Sequence, residues 1–217
     1  MRRIFKTLLA GSAGAASLAA LMVVPTGVAT SADHLDPGAR TDAGVDPTPD
    51  IPADFAWHAN GTTRVAMTFA GPVPTTAPTY YDRDVLYRIN ISTQAPGNTP
   101  EFVIKARFGK GQGANDWGVR FEGIPGVTGA LEGPVETTLT ANGVKARAGL
   151  IDEPFFFDLI GFRETRSFGT IRIRNDRNFF DGQNDTVIVF EIPDANLGSN
   201  VSKIDVWGQT LRFGGNI

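Results

Sequence analysis

The chain is expected to be all-β: a single-domain antiparallel β-sandwich of eight or nine strands with an extended N-terminal arm. Three observations carry this. Apolar residues recur at every second position in most apolar segments. That period of two marks a strand with one face buried. Asn142-Gly143 separates two such segments, and Asn-Gly supplies the positive φ angles of a two-residue hairpin turn. Helical periodicity is weak throughout. A closed barrel is the alternative architecture for the same strand count.

The N-terminus comes first. Met1-Arg2-Arg3 and Lys6 give positive charge, and an uncharged apolar run follows from Thr7 to Val24. Small residues then cluster at Gly27, Ala29, Ser31 and Ala32. This three-part layout is that of a secretory signal peptide over residues 1–32. Cleavage is expected between residues 29 and 32, most naturally after Ala32. The exported protein would be periplasmic or secreted, with no membrane anchor left. Residues 33–53 hold four Pro and five Asp among few apolar groups. Such a stretch buries little surface and reads as an extended arm. Residues 54–217 form the sandwich domain.

Within that domain, Arg64–Phe69 puts Val65, Met67 and Phe69 on one face. Val85–Ile91 aligns Val85, Tyr87, Ile89 and Ile91. Phe102–Phe108 turns Phe102, Ile104, Ala106 and Phe108 inward, with Lys105 and Arg107 outward. Trp117–Phe121 aligns Trp117, Val119 and Phe121. Val135–Thr140 and Val144–Ala148 are expected to flank the Asn142-Gly143 turn. Thr170–Arg174 alternates Ile171 and Ile173 with arginines. Thr186–Ile192 is almost wholly apolar and should be a central strand covered on both faces. Ile204–Leu211 is the last strand. Pro154–Phe162 suits a short helix with Pro154 in its first turn, and Pro193–Leu197 suits a single helical turn.

Charge and composition exclude several classes. Of 20 basic side chains, three lie in the signal, so the remaining 17 face 23 acidic ones, a net charge of −6. That surface opposes phosphate binding, and no nucleic-acid partner is expected. With no Cys there is neither a disulfide nor a thiolate metal site.

Several motifs resemble one family. Residues 148–159 read AGLIDEPFFFDL and are similar to an AGxRDDPFFFDL signature. Ala32–Asp36 (ADHLD), Asp50–His58 (DIPADFAWH), Asp84–Tyr87 (DVLY) and Asn184–Pro193 (NDTVIVFEIP) follow in matching order, as does Val206-Trp207. Together they resemble the bacterial domain of unknown function 4331 family over essentially the whole exported chain. The sequence departs at Ile151, where the signature has Arg, and at Glu153, where it has Asp. The resemblance implies a secreted bacterial envelope protein and carries no activity with it.

Four settings hold candidate chemistry. Asp152, Glu153 and Asp158 bracket Phe155–Phe157. They read either as a carboxylate or metal site in an apolar pocket or as loop acids with Asp158 capping a turn. Asp176, Asn178, Asp181, Asn184 and Asp185 are hard oxygen donors beside Gly182, a composition that suits Ca²⁺. The spacing is not that of an EF-hand, and turn formation is the alternative role. The two His, His34 and His58, have no His or Cys at metal-ligand spacing. If cleavage falls after Ser31, His34 becomes the third residue and can join the free amine in a Cu²⁺ site. His34 and Asp36 also belong to the N-terminal motif. No G-x-S-x-G elbow occurs, and the glycines of 109–113 have no following helix to make a phosphate loop.

The three Phe cannot share one face, because neighbours alternate on a strand and lie ~100° apart on a helix. Two are expected in the main core and one under the arm. The function this supports is a non-enzymatic module that binds a small ligand, an ion or an envelope protein. The alternative is a carboxylate-dependent hydrolase on an extracytoplasmic substrate.

Overall fold

The computed structural model describes residues 47–199 and 201–212. The signal-peptide expectation, His34 and Asp36 lie outside the described residues, as does most of the arm. The strands are β1 (Ala53–Ala59), β2 (Thr62–Pro74), β3 (Val85–Ser92), β4 (Phe102–Lys110) and β5 (Trp117–Glu122). They continue with β6 (Ala130–Pro134), β7 (Leu139–Ala141), β8 (Val144–Asp152), β9 (Gln183–Pro193) and β10 (Asp205–Arg212). One helix, α1 (Leu159–Phe168), lies between β8 and β9. Two five-stranded antiparallel sheets result, ordered β1-β2-β9-β8-β7 and β10-β3-β4-β5-β6. The fold is an all-β sandwich, as the alternation predicts.

The predicted inner faces are the buried ones. Val65, Met67 and Phe69 of β2 meet Val85, Tyr87, Ile89 and Ile91 of β3 in one core cluster. The Phe69 and Tyr87 rings pack at a tilt with centroids 4.2 Å apart. Phe121 of β5 and Phe190 of β9 meet edge to face at 5.0 Å. These rings are among the largest fully buried side chains of the core. Asn142 (φ 49) and Gly143 (φ 79) form the expected tight turn between β7 and β8.

Several expectations need correction. Strands β1 and β6 carry no clean alternation and escape the sequence reading. Both are edge segments with mostly partial or full exposure. Residues 135–138 form a turn, so only Leu139–Ala141 of the predicted Val135–Thr140 strand pairs. Thr170–Arg174 is not a strand. Its backbone donors go to side chains instead: Arg172 N–H to Thr165 Oγ1 and Arg174 N–H to Asp158, each at 2.9 Å. Strand β9 is central, between β2 and β8, and is buried on both faces from Asp185 to Ile188. Beyond that, Glu191 reaches solvent and pairs with Arg64 and Lys145.

The helix starts later than predicted. Pro154–Phe157 is irregular, and Asp158 sets the N-terminus by accepting the Gly161 N–H. An N-cap of this kind satisfies one of the orphan donors of the first turn. Gly169, in the left-handed region at φ 69, ends the helix. None of Phe155, Phe156 and Phe157 reaches the core. Phe155 and Phe157 stack on one another at 5.2 Å, and Phe156 is 58% exposed. The chain has already left the sheet at Asp152, so these rings pack with Phe162 and Phe180 outside the sandwich.

Residues 47–52, the described end of the predicted arm, lie against the body. Tyr87 Oη donates to the Thr48 carbonyl at 2.8 Å, and Thr210 Oγ1 to the Pro49 carbonyl at 2.7 Å. Ala53 already belongs to β1.

Candidate ligand cleft

A cleft of about 680 Å³ opens beside β1, the edge strand of one sheet, and the turn and loop that lead from β9 to β10. That volume is in the range of small-molecule sites. Ala56, Leu197, Val201 and Ile204 give it an apolar lining. Its polar groups are His58, Thr63, Asp194 and Ser202 with Lys203, and half-exposed Trp57 stands on its edge.

The local sequence explains how these groups meet. Antiparallel pairing of β1 with β2 sets His58 opposite Thr63. β9 ends at Pro193, and the single 3₁₀ turn Asp194–Asn196 begins where the Asp194 N–H reaches the Gly61 carbonyl at 3.1 Å. This turn is the one predicted over Pro193–Leu197. It brings the Asp194 carboxylate between the two β-strand side chains. Thr63 Oγ1 donates to Asp194 Oδ1 at 2.8 Å, and His58 Nε2 lies 2.7 Å from Oδ2. The Thr63 hydroxyl, and then His58, hold the Asp194 carboxyl below the ordinary aspartate range, against an opposing effect of burial. The carboxylate is therefore ionised at neutral pH, oriented, and still partly open to solvent. A fixed anionic acceptor between apolar walls can take a hydrogen-bond donor or a cationic group from a ligand.

Sequence reasoning did not find this trio. His58 and Asp194 are 136 residues apart, and only the strand pairing brings them together. The one available signal was a strand-ending Pro193-Asp194 preceded by an almost wholly apolar run.

The predicted site residues fall elsewhere. Asp152 is exposed at the end of β8, opposite Asn184 of β9. Glu153 is buried, and its Oε1 accepts the Phe155 N–H at 2.9 Å. Asp158 is the most engaged carboxylate in the described structure. Its side chain is 1% exposed and takes two hydrogen bonds from the Arg177 guanidinium, at 2.6 and 2.8 Å. Gly161 and Arg174 add backbone donors. The Arg177 hydrogen bonds, chiefly, hold the Asp158 carboxyl far below its usual range despite burial. Asp158 thus organises the segment between β8 and β9, which agrees with the turn-capping reading.

The loop donors sit in separate settings. Asp176 forms a two-pronged pair with Arg174. Asn178 Oδ1 accepts the N–H groups of Phe157 and Phe180. Asp181 is exposed. Asp185 is fully buried, with its carboxylate so close to Gly71 that a Cβ there would overlap it. Among the described residues, no three His, Asp or Glu side chains gather as a metal ion requires.

Searches against family models, curated proteins and solved structures find no match to this chain.

Proposed function

We propose that the chain is an exported β-sandwich that binds a small ligand in the cleft beside β1. The observation that carries the reading is the Asp194 carboxylate, oriented by Thr63 and His58 within an apolar-walled cleft of about 680 Å³. The ligand chemistry that fits is a compact molecule with one apolar face and an amine or hydroxyl donor. The three-part layout of residues 1–32 supports export. The motif resemblance to a secreted bacterial family supports the same compartment. No helix among the described residues is long and apolar enough to cross a membrane.

Binding is favoured over carboxylate-pair hydrolysis by the placement of the acids. Such hydrolysis uses two carboxyl groups roughly 5–9.5 Å apart. Asp194 is the one carboxylate among the described lining residues. Asp152 and Glu153 adjoin the first residues of β9, whereas Asp194 follows its last, about 30 Å of extended strand away.

The test is a thermal-shift screen of small amines and polyols, followed by calorimetry on any that stabilise the protein. Binding should be lost in Asp194→Asn and weakened in His58→Ala. A ligand whose affinity is unchanged by Asp194→Asn would overturn this site.

A further inference from the structure

Ten large apolar side chains are exposed among the described residues, and eight of them fall within residues 155–179. Ile171 is 86% exposed, Phe168 64%, and Phe156 and Ile173 more than half. So dense a concentration is unusual, because exposed apolar residues are ordinarily scattered singly. The segment is also the most arginine-rich part of the chain, with Arg163, Arg166, Arg172, Arg174 and Arg177. Arg174 and Arg177 are paired to Asp176 and Asp158. Among the described residues no carboxylate forms an ion pair with Arg163, Arg166 or Arg172, and all three are exposed.

This surface is held, not loose. The Asp158 hydrogen bonds fix the start of α1, and Thr165 bridges the Gly161 carbonyl to the Arg172 N–H. The Phe179 N–H donates to the Phe157 carbonyl at 2.8 Å. The Arg172 guanidinium lies over the Phe168 ring at 4.3 Å, so a cation and an apolar ring are offered together. A folded lobe presenting Phe, Ile and unpaired Arg has the makeup of an interfacial membrane-binding element. The cleft beside β1 draws no lining residue from it.

We propose that the β8–β9 lobe docks on an anionic lipid surface. Phe156, Phe168 and Ile171 enter the headgroup boundary, and Arg163, Arg166 and Arg172 face the lipid phosphates. Independently of the cleft, exposure supports this docking, as does local charge: over residues 155–179 five Arg outnumber Asp158, Glu164 and Asp176, although the chain as a whole is net negative.

Vesicle flotation tests it. The probes are vesicles of phosphatidylcholine alone and of equal parts phosphatidylcholine and phosphatidylglycerol. Residues 7–24 are apolar in their own right, so every comparison keeps the same N-terminus and differs only in the lobe. The wild type should bind the anionic vesicles and release in high salt. Each arginine near an anionic surface is worth about fivefold in affinity. The triple variant Arg163→Gln, Arg166→Gln, Arg172→Gln should therefore lose about a hundredfold. The variant Phe156→Ser, Phe168→Ser, Ile171→Ser should lose at least as much, whereas Leu211→Ser, an exposed apolar change outside the lobe, should lose nothing. Equal binding by all variants, or no binding to anionic vesicles, overturns the proposal. So does a wild-type self-association that the serine variant abolishes without any vesicle binding, which would make the occupant a second copy. If the serine variant does not fold, the arginine variant decides alone.

Discussion

Asp54 Oδ2 accepts the backbone N–H of Gly208 at 2.7 Å. The bond ties β1 to β10, the edge strands of the two different sheets. The approach is close because residue 208 has no side chain. A Cβ there would lie 2.6 Å from Met67 Sδ and 2.7 Å from Asp54 Oδ1. The open side of the sandwich is therefore fastened by one carboxylate and one glycine.

Gly208→Ala should loosen that fastening. Met67 is fully buried, so its thioether has little room to move away. Overpacking of this kind typically costs ~1–3 kcal/mol. A urea titration should show a lower midpoint with an unchanged slope. A midpoint equal to wild type would show that β1 and β10 have freedom the structure does not.

Asp54 and Asp158 should impose opposite pH slopes. Burial raises the Asp54 carboxyl, and the Gly208 bond only partly offsets it. Its native pKa therefore exceeds the unfolded one of about 3.9. As pH rises between the two values the unfolded state releases its proton first, so stability falls. Asp158 is lowered, so its contribution is present above the unfolded value and is lost as pH falls toward the native one. Asp54→Asn should remove the decline of stability above the ordinary carboxylate range. Asp158→Asn should remove a loss on the acid side. Denaturant midpoints collected from pH 3 to pH 7 check both signs. Parallel curves for the two variants would contradict the assignment.

Asp158 should also decide whether the β8–β9 lobe stays folded. Gly161 packs against it so tightly that a Cβ would lie 2.6 Å from the Arg172 carbonyl and 2.9 Å from Ile173 Cα. Asp158→Ala and Gly161→Ala should both speed tryptic cleavage at Arg163, Arg166 and Arg172. The sheets share no side chain with this network, so the far-ultraviolet β signal should persist. Cleavage at the wild-type rate would show that something other than Asp158 holds the lobe.

The sandwich was legible because half-buried strands write their burial at every second residue. Val85–Ile91 and Phe102–Phe108 show this most plainly, and their inner residues are core residues. Strand β1 was not legible, since its exposed Ala56, Trp57 and His58 carry no alternation. Thr170–Arg174 misled for the converse reason. Ile171 and Ile173 alternate with arginines, but among the described residues no strand pairs with them. The Asp158 capping role could be read locally, within three residues of Gly161. The Asp194 cleft could not, because Thr63 and His58 reach it only through the pairing of β1, β2 and β9.

The aromatic residues separate these two kinds of information most sharply. Phe155, Phe156 and Phe157 are the densest aromatic run after residue 32, and sequence density alone marks them as core. The structure gives that role to Phe69, Phe121 and Phe190, each isolated in sequence and fully buried. Phe121→Ala and Phe190→Ala should each cost ~3–5 kcal/mol, the usual toll for emptying a packed aromatic site. The two rings touch, so the double variant should cost less than the sum. Phe156→Ala removes a ring already 58% in water and should stay within about 0.5 kcal/mol of wild type. Phe157→Ala should fall between, because its ring stacks on Phe155 and packs at a tilt against Phe162 outside the main core. Chemical denaturation of the four single variants and the double orders them directly. A Phe156→Ala cost comparable to that of Phe121→Ala would mean that the lobe is covered in solution and that its apolar surface is not free to meet a lipid.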